Sequence, residues 1–587
     1  MKGVSLEIFK NEELLGIAIC SFLVLVCFYL IYRKHKNKEL FYLGSIVVIY
    51  GIISIWNLGS FEMPISTWQP TTYNQSFILE LSQSEFEQIN IIYGEGDNNS
   101  LVGEYEYQLG VDGIIIEGSN DLSNWDNIVT LDEGPIYEYQ SIKGCFNYKY
   151  IRINSSSKLN TITELVFYND EKIIDSRVYE DDYKDSKYPA SLVIDEQEMI
   201  EIDPIYYDEF FFDEVYHVRN AKEIADGQYM YANTHPLLGT NIIALFIKLF
   251  GFSPFVYRLP GVIFGVLIVI AVYYICKKLF DDMYLSCVGA ILCAGDFMHL
   301  TTSRIGTLEP FSILFIIMMY YFMVKYYKED NYKKELINLL LSGIFMGFAI
   351  SVKWNACYSA VGLAFILFRK LLEKKERVIK TLLWCLLFFV LNPILIYCLC
   401  YLPDKVWKDD VWSFKNVFEH NLMMFKYHHE LNASHPFESR WYEWLLDLRP
   451  IWYYANINDN VSNTIACFSN PLLTWFGLPC VVYTLFNIKD KRAFVIIMGY
   501  VSSLLPWIFI SRSTFAYHFY PTSIFTMLAI VYTFSKLENR KVINTLSLFI
   551  CWCLLFICLY VQALGQQGNI LNCWKYCLGG ILVDFNL

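Results

Sequence analysis

Runs of apolar residues long enough to cross about 30 Å of hydrocarbon recur from one end of this chain to the other. They fall at about residues 13–32, 40–58, 257–279, 283–300, 308–326, 336–352, 355–369, 379–402, 471–487, 492–510, 517–534 and 541–563. A chain that is 55% hydrophobic and 17% aromatic over 587 residues is at home in a bilayer, not in water. The expected fold class is a polytopic α-helical membrane protein with about 12 spans.

Charge divides the chain in two. Between Glu62 and Glu214 the net charge is roughly −24, although the whole chain carries only −13, so the remainder holds roughly +11. The acidic part reads as a soluble insert. The basic excess sits in loops between spans, as on a cytoplasmic face, and nucleic acid is disfavoured as a partner. Arg33 to Lys38 form a basic hinge after the first run, which reads as a retained anchor with no small-residue cleavage site before the cluster. Alternation from that hinge places Lys277-Lys278, Lys325 to Lys334, Arg369 to Lys380, Lys489 to Arg492 and Lys536 to Lys541 inside. It places the insert, Asp213, Arg304, residues 403–470 and Arg512 on the extracytoplasmic side of a cell membrane.

Most of the 17 cysteines lie within apolar runs and read as small hydrophobes, so neither a disulfide scaffold nor a metal is expected. Whether Cys573 and Cys577 pair stays open.

Period-two segments such as Phe77-Ile78-Leu79-Glu80-Leu81 and Gln88 to Tyr93 predict an antiparallel β-sandwich within the insert. Glu117 to Trp125, Tyr148 to Ile153 and Ile162 to Tyr168 resemble a discoidin-type (coagulation factor type C) domain. That resemblance implies a glycan-binding or acceptor-recruiting module; a spacer is the plainer reading. The expected organisation is two spans over 1–62, the sandwich over 63–175, a linker and catalytic loop over 176–256, a membrane core over 257–402, an outer loop over 403–470, and further spans with a tail over 471–587.

Asp213-Glu214 opens an ordered series that continues with His235-Pro236, Arg258-Leu259-Pro260, His299, Ser303-Arg304-Ile305 and Val352-Lys353-Trp354-Asn355. The series ends with His435-Pro436, Leu448-Arg449-Pro450 and Ser511-Arg512-Ser513. Paired carboxylates are common on surfaces and an isolated Arg at a span end commonly snorkels to the interface. As an ordered set, however, the series resembles the polyprenyl- or dolichyl-phosphate-mannose protein O-mannosyltransferases, which have the GT-C glycosyltransferase fold. The early position of the β-insert, with 403–470 too short for a β-trefoil, suggests a bacterial type.

The resemblance implies inverting transfer of mannose from a polyprenyl-phosphate carrier to Ser or Thr hydroxyls of exported proteins. Asp213 would be the base, with Glu214 positioning the acceptor or tuning its neighbour. Arg258 and Lys353 would hold the donor phosphate, with His235, His299, Arg304, Arg449, Trp354 and Arg512 as further site candidates. No obligatory metal is expected, because no histidine pair has zinc spacing with a third ligand nearby. Leu237 and Thr240 depart from the family's residues after His-Pro, and Glu309 stands where Asp is usual. Trp441, Trp444 and Trp452 suit either an interfacial belt or a sugar-stacking platform. A cell-wall glycan or lipid acceptor, or a carbohydrate receptor or transporter, are the competing readings.

Overall fold

The computed structural model describes Arg33 and residues 37–96, 113–132, 134–158, 160–403, 412–431, 434–457 and 462–537. The first apolar run, the last one, and Cys573 and Cys577 lie outside the described residues.

The first described helix, α1 (Lys38–Ile55), is capped by Asn37, whose side chain accepts from the Leu40 N–H at 3.0 Å. The β-sandwich follows. Strands β1 (Gln75–Leu81), β2 (Glu85–Tyr93), β3 (Ile114–Ser119), β4 (Asp126–Leu131), β5 (Tyr139–Asn147), β6 (Tyr150–Ser155), β7 (Ile162–Asn169), β8 (Lys172–Ile173) and β9 (Ser176–Asp181) form two sheets. One runs β4-β3-β6-β1-β9 and the other β5-β2-β7-β8, with every pairing antiparallel. Phe77, Leu79 and Leu81 point inward with Ile91, Ile116, Ile153 and Phe167, as the alternation predicts. The sheet extends past residue 175, because β9 pairs with β1.

Two helices in the linker escaped the sequence reading: α2 (Glu214–Ala225) and α3 (Leu238–Phe250). α2 is polar on average, so it carries no span-like signal. Its Val215, Val218 and Ala221 join Ile243 and Ile247 of α3 in the same hydrophobic core as the sandwich residues Ile92, Leu165 and Phe167. The insert thus packs directly on the helix that starts at the paired carboxylates.

The membrane unit comprises α4 (Pro254–Phe280), α5 (Met283–Ala294), α6 (Phe297–Ser303), α7 (Glu309–Lys328), α8 (Tyr332–Val352), α9 (Ala356–Lys374) and α10 (Val378–Leu399). After an amphipathic helix, α11 (Phe414–Glu430), and a hairpin of β10 (Ile451–Ile457) and β11 (Ser462–Cys467), it resumes with α12 (Pro471–Phe486), α13 (Lys491–Leu504) and α14 (Tyr520–Phe534). Among the described residues six helices are long and apolar enough to cross a membrane, α13 counting with its 3₁₀ extension to Phe509. The run expected at 283–300 is instead broken, α5 and α6 meeting at 61°. Gly295-Asp296 interrupts it, and the Asp296 carboxylate accepts from the Asn470 N–H at 2.9 Å.

The basic loops meet at one end of the bundle. Lys328 donates to the Leu279 carbonyl at 3.0 Å, Lys491 pairs with Glu373 at 2.9 Å and Lys536 with Asp490 at 3.0 Å. Asp213, His235 and Lys353 lie at the other end, where α7 begins and α8 stops. Alternating spans of a membrane protein give this segregation.

Candidate active site

Asp213 is the N-cap of α2, and the residue before it, Phe212, has a φ of +54°. A bulky aromatic in the left-handed region costs about 1–2 kcal/mol, which is tolerated where packing over-determines it. Here Phe212 stacks on Tyr453 of β10 at 4.0 Å between centroids. That contact turns the chain so that Asp213 starts the helix with its carboxylate half-buried and making no capping hydrogen bond. Burial, reinforced by the nearby Glu309 carboxylate and opposed by Lys353, pushes the Asp213 carboxyl up to about 7.

Glu214, one residue on, is fully buried and plays a different part. It receives Arg258 Nε and Nη2 side-on, both at 2.8 Å, and also accepts from the Gly306 N–H at 2.9 Å and the Phe211 N–H at 3.2 Å. The remaining guanidinium hydrogens go to the carbonyls of Leu58, Tyr206 and Glu209 at 3.0, 2.9 and 2.7 Å. Two expectations therefore change. Arg258 has every N–H engaged inside the protein and none to offer a donor phosphate, and Glu214 is too enclosed to touch an acceptor. Together they tie the loop before α2 to α4.

Lys353 caps α8 and forms a buried ion pair with Glu309, the first residue of α7; Thr307 donates to the same carboxylate. Its ammonium also lies 5.3 Å from the Tyr517 ring. This pair stands beside Asp213, close enough for both charges to act on it.

Three histidines stack in a row beside this group. His217, one turn into α2, stacks on His235 at 5.3 Å, and His235 stacks on His428 of α11 at 5.6 Å. The His428 Nε2–H donates to the Thr234 carbonyl at 2.7 Å, which fixes its tautomer. Burial moves His217 down to about 4 and His235 well below its ordinary value, so the ladder is neutral at pH 7. Arg512, half-buried, is near enough that its charge further depresses His235 and His428. Trp354 donates to the Tyr397 hydroxyl at 3.1 Å and its ring lies 6.4 Å from His428. His217 and His428 were not among the sequence candidates; their signal is spatial, since 211 residues separate them.

The other candidates lie elsewhere. His299 is enclosed in the helix bundle, bonded to the Tyr520 hydroxyl and stacked on Tyr50 at 5.0 Å, so it packs the core. Arg304 ties α6 to the end of α1 by donating to the Trp56 and Asn57 carbonyls at 2.5 and 3.0 Å. Arg449 is exposed and donates to the Glu438 carbonyl at 3.0 Å. Trp444 is buried among Trp507 and His518, which removes it from both belt and platform.

The sequence pattern described as dolichyl-phosphate-mannose-protein mannosyltransferase matches residues 234–397. A second, the C-terminal four-transmembrane region of protein O-mannosyltransferase, matches 413–575. The chain belongs to the protein O-mannosyltransferase family. A polyprenol-phosphate-mannose–protein mannosyltransferase of Corynebacterium glutamicum is 24% identical over 380 residues, covering 52% of this chain and 71% of that protein. The Mycobacterium tuberculosis protein of the same name is 21% identical over 367 residues, covering 52% and 70%. Among solved structures, the S. cerevisiae Pmt1–Pmt2 complex bound to the sugar donor superposes with a TM-score of 0.55 at 13% identity, over 65% of this chain and 90% of that one. The membrane unit of this mannosyltransferase family member accordingly has the GT-C fold, and the protein is a glycosyltransferase. Asp213 lies upstream of the first matched segment.

Proposed function

We propose that the protein moves mannose from a polyprenyl-phosphate carrier onto Ser or Thr hydroxyls of exported proteins, at the extracytoplasmic face and with inversion. The observation that carries this reading is the half-open Asp213 carboxylate, titrating near neutral pH beside the Lys353–Glu309 pair. Asp213 takes the acceptor's O–H proton as the new bond to the sugar carbon forms. On the opposite side of that carbon, the bond to the phosphate oxygen breaks and its electrons leave with the phosphate. Lys353, beside Asp213, and Arg512, near His235 and His428, take the phosphate-holding role that Arg258 is placed too deep to fill. Neutral His217 and His235 each carry one ring N–H that can donate without adding positive charge, whereas His428 has committed its own to Thr234.

The donor and acceptor classes are those in the names of the Corynebacterium and Mycobacterium relatives. A cell-wall glycan or lipid acceptor would use the same base and the same donor. Membranes containing the protein, a polyprenyl-phosphate radiolabelled mannose and an acceptor peptide test the proposal. Wild type should label the peptide, and Asp213→Asn should lower labelling by at least about 100-fold at equal protein level. Labelling of lipid or glycan with none on peptide would replace the acceptor assignment. Near wild-type turnover in Asp213→Asn would remove Asp213 from the mechanism.

A further inference from the structure

Between α2 and α3 the chain from Gln228 to Pro236 forms neither helix nor strand, yet it carries His235 into the stack with His217 and His428. Such a segment keeps its place only where other groups satisfy its backbone N–H and C=O. The buried side of α2 supplies three of these bonds. Asn220, one turn beyond His217, donates from Nδ2 to the Ala232 carbonyl at 2.6 Å and accepts from the Ala232 N–H at 3.0 Å. An amide side chain offers the donor and acceptor of a peptide group, so Asn220 pairs with Ala232 as a neighbouring strand would. Glu223, one turn further, accepts from the Tyr231 N–H at 2.5 Å.

Arg219 reinforces the same edge. Its Nε donates to Glu223 Oε1 at 3.2 Å and its guanidinium lies 3.8 Å over the Tyr231 ring. On the other flank, Asn233 donates to the His420 carbonyl of α11 at 3.4 Å, and the Thr234 carbonyl accepts from His428 of the same helix. The segment is thus clipped to both helices that supply the outer histidines of the stack. Asn is a poor residue for a helix interior, and its neighbours Val218 and Ala221 belong to a hydrophobic cluster, so an apolar side chain would suit α2 better at 220.

We propose that Asn220 is a positioning residue for the transfer reaction: by fixing both backbone groups of Ala232 it sets the place of the His235 ring. His235 follows three residues after Ala232, and Pro236 restricts its backbone to extended conformations, so little slack separates the clip from the ring. Because α2 also begins at Asp213, one helix then fixes both the base and the His235 N–H that faces the reactants from the neighbouring segment. Asn220 acts only through His235. The inference rests on the reading above, in which that N–H serves the reaction, but the clip itself can be measured without turnover.

The test treats the full chain in detergent micelles with diethyl pyrocarbonate and reads the modification of each histidine by peptide mass spectrometry. Asn220→Ala should raise the rate at His235 by about five-fold or more through local opening, while His299 in the bundle core stays as unreactive as in wild type. Transfer from polyprenyl-phosphate mannose to an acceptor peptide should fall by about 10- to 100-fold in kcat, the cost of misplacing a group by about 1 Å. In a His235→Ala background the same substitution should cost less than about 2-fold, since its route to the reaction is gone. An unchanged His235 rate in folded Asn220→Ala overturns the proposal. So does an equal loss of turnover in both backgrounds, or a His299 that gains reactivity together with His235, either of which marks a merely structural residue. If Asn220→Ala does not fold, Asn220→Asp, which keeps the acceptor for the Ala232 N–H and loses the donor to its carbonyl, is read by the same measurements. A wild type without mannosyl transfer would defeat the function proposed above, and the labelling alone would then decide whether Asn220 sets His235.

Discussion

Arg258 meets Glu214 side-on through two 2.8 Å contacts, in a place where neither side chain touches solvent. Removing one partner leaves a buried charge, which costs roughly 3–5 kcal/mol. Arg258→Met and Glu214→Leu should therefore each lower the unfolding midpoint and the yield of folded protein. Arg258→Lys should not restore them, because one ammonium cannot serve two carboxylate oxygens and three carbonyls. The double variant Arg258→Met/Glu214→Leu should lose less than the sum of the singles, and strict additivity in the melting curves would argue against this pairing.

The Asp213 carboxyl, pushed up to about 7, makes two pH predictions. As a base it works deprotonated, so transfer should rise with pH through about 7 and level off above it. For stability the sign is opposite. The unfolded carboxyl ionises near its ordinary value of about 4 while the folded one keeps its proton to about 7, so this group's contribution falls as pH rises between those values. Asp213→Asn should flatten that part of the stability profile. A rate profile with no inflection near neutral pH would disconnect Asp213 from the proton transfer.

Lys353 and Arg512 should be separable from Arg258 by kinetics. If each makes a charge-assisted contact with the leaving phosphate, Lys353→Met or Arg512→Met loses about 1.5–3 kcal/mol, or roughly 10- to 150-fold in kcat/KM for the donor. Lys353→Met also strips Glu309 of its partner, so Lys353→Met/Glu309→Gln distinguishes the effects. The double variant should recover stability but not donor turnover. Recovery of both would make the pair structural only.

Deleting the sandwich should abolish the enzyme instead of merely weakening acceptor capture. Val215 and Val218 of α2 belong to a hydrophobic cluster continuous with that of the sandwich, and Arg219 and Lys222 of the same helix lie 3.8 Å from the buried Glu95 carboxylate after β2, so removal of residues 64–181 uncovers one side of the helix that begins at Asp213. Detergent-solubilised deletion protein should aggregate, as monitored by size-exclusion chromatography. A monodisperse, active deletion would show the insert to be detachable.

Cysteine probes at Asp170 and Arg449 should react with an impermeant reagent applied from outside intact cells, whereas probes at Lys374 should not. The reverse pattern would place Asp213 and Lys353 on the cytoplasmic side.

Much of the membrane unit was legible because span length and composition are set by the bilayer itself. α7, α8 and α4 fall within a few residues of the expected runs. The break at Gly295-Asp296 was not legible, because the apolar average of 283–300 hides one polar kink whose partner, Asn470, lies far away in sequence. In the site, sequence order pointed to Asp213 and Lys353 but gave no direction to any side chain. Arg258 at a span end reads like a phosphate ligand until its five N–H groups are seen to point inward. The histidine ladder depends on residues 217, 235 and 428 meeting in space, which no local pattern encodes.

The left-handed turn at Phe212 sets the direction in which this site can evolve. Glycine there would relax the backbone and remove the Tyr453 stack together, so the residue most at ease with that φ is the one that would unseat Asp213. Asparagine, which tolerates the same turn, lacks the ring as well. Drift at 212 is thus confined to aromatic side chains, and any loosening of β10 reaches Asp213 without a change in a single charged group.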